Sequence, residues 1–190
     1  MYPQLKNYLN QITPLTEEEW HFLLPFLRLK SLDKGEILVH QGQINHSLIF
    51  VLKGALRTFF LSKGREINLD FTFANHMVSC YHFFRREPSD EFIQAMQTSE
   101  ILIMEVEDAE SFLGHFPNAQ KLAHKLMSCL LLNEVDRLKA QLALNPEEIY
   151  AKIEQEHPQY IHKVQSQHLA SYIGITRESL SRIKKRRSQK

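Results

Sequence analysis

The sequence predicts an α+β protein in three parts: a closed β-barrel or jelly roll with flanking helices, one long helix, and two crossed helices near the C-terminal end. Three observations predict it. Residues 32–106 alternate short apolar strands with glycine turns, helical spacing then runs through residues 118–144, and from Tyr160 onward eight Lys/Arg face a single acid, Glu178. That last segment stands at +7 and residues 1–159 at −6, although the whole chain carries only +1. An acidic body joined to a basic tail suggests that the tail meets a polyanion. A solvated basic end is the competing reading of charge alone, and only the residue pattern separates the two.

Composition sets the outer bounds. With 43% hydrophobic and 24% charged residues among 190, usage is that of a globular chain, which excludes disordered, collagenous and purely coiled-coil classes. No apolar run approaches the roughly 20 residues of a membrane helix, and the first residues lack a basic start followed by an apolar core. A cytoplasmic protein without a membrane partner is expected. Cys80 and Cys129 are too few for a disulfide framework or an ordinary iron–sulfur site, so the expected compartment is reducing.

Taken in order, the elements begin with a capping box. Thr16 followed by Glu19, with Leu15 stapling onto Trp20, predicts a helix over 17–29. Strands are expected in EILV, SLIFVL, ALRTFFL, EINLDF, EFIQAM and ILIMEV; the clearest alternation sets Ile67, Leu69 and Phe71 against Glu66, Asn68 and Asp70. Gly35, Gly42, Gly54 and Gly64 punctuate these strands where a turn wants positive φ. Many short strands with regular turns indicate a barrel or jelly roll enclosing a core or a small ligand. The helix over 118–144 would span about 40 Å, longer than a small barrel covers. It carries two apolar stripes: one of Leu122, Leu126, Cys129 or Leu130, and Asn133, the other of Leu131, Val135, Leu138 and Leu142. Two stripes imply two partners, the barrel and the same helix of a second subunit, with Asn133 setting register; the competing reading has one domain wrap both. Asn145 and Pro146 then cap a new helix ended by Pro158. The expected domains are 1–117, 118–144 and 145–190, hinged at Asn145.

In SQHLASYIGITRESLSRIKKRR, Leu169, Ala170, Ile173, Ile175, Leu180 and Ile183 have the spacing of two short helices packed across a tight turn, with Gly174 at the turn and Thr176 as cap. With Leu180 and Ile183 buried, Arg177, Glu178, Ser181 and Arg182 share the opposite face. Arginine can donate two bonds to guanine and glutamate can accept from cytosine N4, so this face has base-reading chemistry. Lys184, Lys185 and Arg186 follow, placed to neutralise phosphates. A generic helical hairpin is the competing reading, but apolar pattern, glycine turn and charge agree on a helix-turn-helix.

Here the chain resembles the CRP/FNR family, the cyclic-AMP-receptor-like bacterial transcription regulators. KGEILVHQG and SLIFVLKGALR match a cyclic-nucleotide-binding-like barrel, and TRESLSR matches a winged-helix-like helix-turn-helix. The resemblance implies a homodimer through helix 118–144, double-stranded DNA with palindromic promoter sites as partner, and contact with RNA polymerase. It implies guanine contacts from Arg177 and Arg182, a cytosine contact from Glu178, and phosphate contacts from Gln167 and Thr176. Two departures qualify it. Where nucleotide-binding members carry Gly-Glu for the ribose and Arg-Ser for the cyclic phosphate, this sequence has Cys80 and Tyr81, then Ser89 and Asp90. An aspartate beside a phosphate repels it by roughly 4 kcal/mol at about 4 Å near a surface, so a pocket of Cys80, Tyr81, Phe83, Ser89 and Asp90 is expected to take some effector other than cyclic AMP. The family's wing strands also have no counterpart before Lys190, and the basic end would substitute for them. No cofactor can be named, and no N-terminal cysteine cluster of the FNR kind is present.

Metal and catalytic readings find less support. His76 and His82 near Cys80 are the most suggestive cluster, without structural-zinc spacing, and no metal is expected. No glycine-rich phosphate loop and no nucleophile signature occurs, so no enzyme is expected. The expected function is sequence-specific transcription regulation, with a barrel signal tilting the domains at Asn145; the alternative is a small-ligand-binding sensory module with weak DNA binding.

Overall fold

A computed structural model describes residues 1–78 and 87–188. Helix α1 (Pro3–Ile12) is followed by α2 (Glu17–Leu23) and a short 3-10 turn, Leu24–Phe26. Strands β1 (Arg28–Leu32), β2 (Ile37–Val39), β3 (Ser47–Lys53), β4 (Ala55–Ser62), β5 (Arg65–Phe73), β6 (His76–Met77), β7 (Phe92–Ala95) and β8 (Ser99–Glu105) build the jelly roll. Its sheets have orders β1-β8-β3-β6 and β2-β7-β4-β5. Then come α3 (Val106–His115), α4 (Pro117–Ala143), α5 (Pro146–Glu156), α6 (Pro158–Lys163), α7 (Ser166–Ile173) and α8 (Arg177–Arg187).

The Thr16 capping box forms, with Glu19 N–H on the Thr16 hydroxyl at 3.2 Å and Thr16 N–H on the Glu19 carboxylate at 2.7 Å. The helix it starts is shorter than predicted. Pro25 has no N–H to continue the ladder, so α2 stops at Leu23 and the chain turns into β1, which pairs antiparallel with β8 from Arg28↔Ile103 to Leu32↔Ser99. The strand-end glycines do adopt positive φ, and at Gly54 a Cβ would also collide with Ser99.

Alternation along β3 and β8 sends side chains to both faces of their sheet. Ile49, Val51 and Ile101 enter the barrel core with Leu32, Leu56 and Ile93, whereas Phe50 and Leu102 join a second core under the helices with Leu9, Trp20, Phe112 and Leu122. A polar seam accompanies the barrel core. Arg57, 5% exposed, donates from Nε and an Nη to Gln94 Oε1 at 2.9 and 2.7 Å, and Gln94 donates to Gly35 O at 2.8 Å.

Two compact units divide the chain: Met1–Arg57 with Thr72–Leu131, and Thr58–Phe71 with Leu132–Lys190. In this division the break on the C-terminal side falls inside α4, and the distal part of the β4–β5 hairpin groups with the C-terminal helices. Within that second unit Ser171 bridges the hairpin: its hydroxyl donates to Glu66 O at 2.7 Å and accepts from Asn68 N–H at 3.1 Å. Tyr160 adds a 2.9 Å bond from its hydroxyl to Asp70, and Phe71 packs edge-on against the Tyr160 ring. Burial and the Asp70 carboxylate push the Tyr160 hydroxyl far above its ordinary range.

Candidate nucleic-acid interface

Helices α7 and α8 meet across a turn that the sequence builds from three residues. Gly174 takes φ +83° and ends α7, Ile175 N–H returns to Ala170 O at 2.9 Å, and Thr176 caps α8 by accepting from Ser179 N–H at 3.2 Å. A β-branched or bulky residue at position 174 would be strained in that left-handed conformation. Leu169 and Leu180 are wholly buried, and Ala170, Ile173 and Ile183 nearly so. Locking Leu180 and Ile183 inward fixes the rotation of α8.

That rotation leaves Arg177, Glu178, Ser181 and Arg182 exposed together on the first turns of the helix. Glu178 is an anion among cations. Its own backbone N–H, the Thr176 hydroxyl, Arg177 and Arg182 hold its carboxyl below the usual range, so it is an acceptor at neutral pH. Two forked donors and one acceptor on a single helix face can address base edges in a groove wide enough for a helix.

The expected phosphate contacts divide. Gln167 and Lys185 are exposed, whereas the Thr176 hydroxyl is engaged as the cap. Lys184 reaches Ser166 Oγ at 3.3 Å. Arg186 and Arg187 turn back onto α5, pairing with Glu147 at 2.7 Å and Glu154 at 2.6 Å. Charge counting could not foresee these pairs, because the acids sit some thirty residues away in sequence; the Asn145 cap presents Glu147 and Glu148 in the first turn of α5.

The barrel pocket is described only in part. Cys80, Tyr81 and Phe83 lie outside the described residues, as does His82. Ser89 is buried and committed locally, its hydroxyl accepting from Glu91 N–H at 3.1 Å and donating to Glu91 O at 3.0 Å, while Asp90 is exposed. Among the described residues no three His, Cys, Asp or Glu side chains come together as metal ligands, and no helix is long and apolar enough to cross a membrane.

Residues 29–115 match the family model of the cyclic nucleotide-binding domain. No curated protein matches the sequence. Among solved structures, a CooA mutant from Carboxydothermus hydrogenoformans aligns with TM-score 0.72 at 18% identity, over 97% of this chain and 84% of that one. FixK2 from Bradyrhizobium japonicum aligns with TM-score 0.72 at 17% identity, over 84% of this chain and 83% of the other. A structure described as a CRP/FNR-family regulator from Eubacterium rectale aligns with TM-score 0.69 at 21% identity, over 93% and 85% of the two chains. The jelly roll, long helix and helix-turn-helix thus have the fold of these CRP/FNR-type structures. Residues 29–115 match the cyclic nucleotide-binding domain, and the resemblance read from KGEILVHQG and TRESLSR is borne out at the level of the fold.

Proposed function

We propose that this protein is a sequence-specific DNA-binding transcription regulator that acts as a homodimer on palindromic promoter sites in the cytoplasm. The observation that supports it best is the exposed quartet of Arg177, Glu178, Ser181 and Arg182 over the buried pair Leu180 and Ile183. In this reading α8 enters the major groove, Arg177 and Arg182 read guanines, Glu178 accepts from a cytosine, and Gln167, Lys184 and Lys185 touch phosphates. Arg186 contributes only by exchanging Glu147 for a phosphate. RNA polymerase is the further partner, and the effector is some molecule other than cyclic AMP.

The dimer seam is the outer stripe of α4, where Leu131 and Leu142 are 65% and 79% exposed and Leu138 is bare beside them. Large apolar side chains in such a row on one helix are what a second copy of the same helix buries, and a C2 pair then places two half-sites about one DNA turn apart. Titration of a palindromic duplex at two salt concentrations tests the reading. Arg182→Ala should cost roughly 1 to 3 kcal/mol at one base position, and Lys185→Ala should weaken all sequences alike and lower the salt slope. Equal effects of both variants on specific and non-specific DNA would overturn the assignment of the reading face.

A further inference from the structure

Between α1, the outer face of sheet β1-β8-β3-β6, α3 and α4, the first unit holds an apolar pocket of about 130 Å³ that is partly open to solvent, with Met127 exposed in its wall. Most of its wall belongs to the core under the helices, with Val78 and Ala109 shared with the barrel core. Phe50 and Leu102 form its floor, and it exists because α3 and α4 present Ala109, Ala119 and Ala123 where larger side chains would fill it. No charged side chain lines it.

Ligand sites are concave and mostly apolar, and a wall this poor in polar groups gives water few bonds to hold it, so an apolar molecule of matching size displaces that water favourably. An engineered apolar cavity of about 150 Å³ takes up benzene or xenon. We propose that this cavity is a binding site for an uncharged apolar molecule, or the apolar end of one, of about six to eight carbons. A charged ligand such as a nucleotide is excluded, because nothing in the wall compensates a desolvated phosphate. One wall belongs to α4, so occupancy bears on the helix that carries the exposed leucine stripe. That last coupling rests on the proposed dimer; the binding site itself does not.

Benzene is the probe, added to the full-length protein in thermal unfolding and followed by calorimetric titration. A saturable rise in Tm of about 5 °C at hundredfold excess over Kd is expected. The variants Ala123→Leu and Leu126→Phe should keep the far-UV spectrum and lose the shift, because their side chains occupy the space. Either variant alone suffices if the other fails to fold. The proposal is overturned if benzene leaves the wild-type Tm unmoved, or if both folded variants keep the full shift. It is also overturned if benzene fails and Ala123→Leu instead weakens self-association tenfold or more, which would make the cavity a socket for a second copy. Loss of DNA binding in the duplex titration would remove the regulator reading and leave the benzene result standing.

Discussion

The barrel and the C-terminal helices bury different chemistry. In the first unit, the interior takes in Arg57, Asn45, Ser89, Glu91 and Ser99 alongside branched aliphatics, whereas the buried residues from Leu132 to Ser188 are all apolar or tyrosine. The barrel thus buries directional bonds inside a β-scaffold. The C-terminal helices pack on one another by apolar knobs, and polar bonds from Ser171 and Tyr160 join them to the hairpin, which buries Thr58 and Asn68. A buried hydrogen-bonding group left without its partner costs about 1 to 3 kcal/mol, while an exposed polar change is close to neutral. The jelly roll therefore constrains polar residues in its interior. The helix-turn-helix leaves its outer face open to change without loss of fold, which suits the DNA-reading role proposed for it.

The largest test of that contrast is Leu180→Ala. Truncating a wholly buried leucine should cost about 2 to 5 kcal/mol and abolish DNA binding. Helical signal should melt earlier, while the emission of Trp20, the sole tryptophan and buried in the first unit, keeps its midpoint. Coincident melting of both signals in the variant would show that the two regions are not separately held. Next in size is Arg57→Leu, which strips Gln94 of both guanidinium bonds. A loss of about 1 to 3 kcal/mol, read by the midpoint of Trp20 emission in urea, is the expected result; an unchanged midpoint would mean the polar seam does not stabilise the barrel.

Tyr160→Phe removes the bond that the Tyr160 hydroxyl makes to Asp70 in the hairpin, and should cost about 1 kcal/mol. Because burial raises the folded hydroxyl above the ordinary tyrosine value of about 10, its stabilisation is present below about pH 10 and is lost as the unfolded chain ionises above it. Urea unfolding at about pH 8 and pH 10.5 should show an alkaline loss in the wild type that the variant lacks in part. The smallest effect belongs to Arg186→Ala. An exposed ion pair such as Arg186–Glu147 contributes under about 1 kcal/mol, so stability should barely move. A salt slope for DNA binding reduced as far as in Lys185→Ala would show that Arg186 leaves Glu147 for a phosphate.

What could be read beforehand depended on range along the chain. The turn at Gly174, the cap at Thr176 and the inward pair Leu180 and Ile183 are all set within twenty residues, and each appeared where expected. Strand β1 was hidden by a helix signal, because its partner Ser99–Glu105 lies some seventy residues away. The same holds for Ser171 and Asp70. Nothing in their neighbourhoods says that one will grip the hairpin from α7 and the other will accept from Tyr160.

The sequence by itself therefore determined most of the strands, the capped helix starts, the jelly-roll and helix-turn-helix classes, and the face of α8 that meets solvent, since all of these follow from local periodicity and turn chemistry. Only the tertiary structure decided that the hairpin joins the C-terminal helices, that Arg186 and Arg187 turn back to α5, and that three alanines leave a cavity under α1. Those outcomes rest on which distant surfaces come into contact, and a linear pattern of apolar and polar residues records the existence of a surface without its partner.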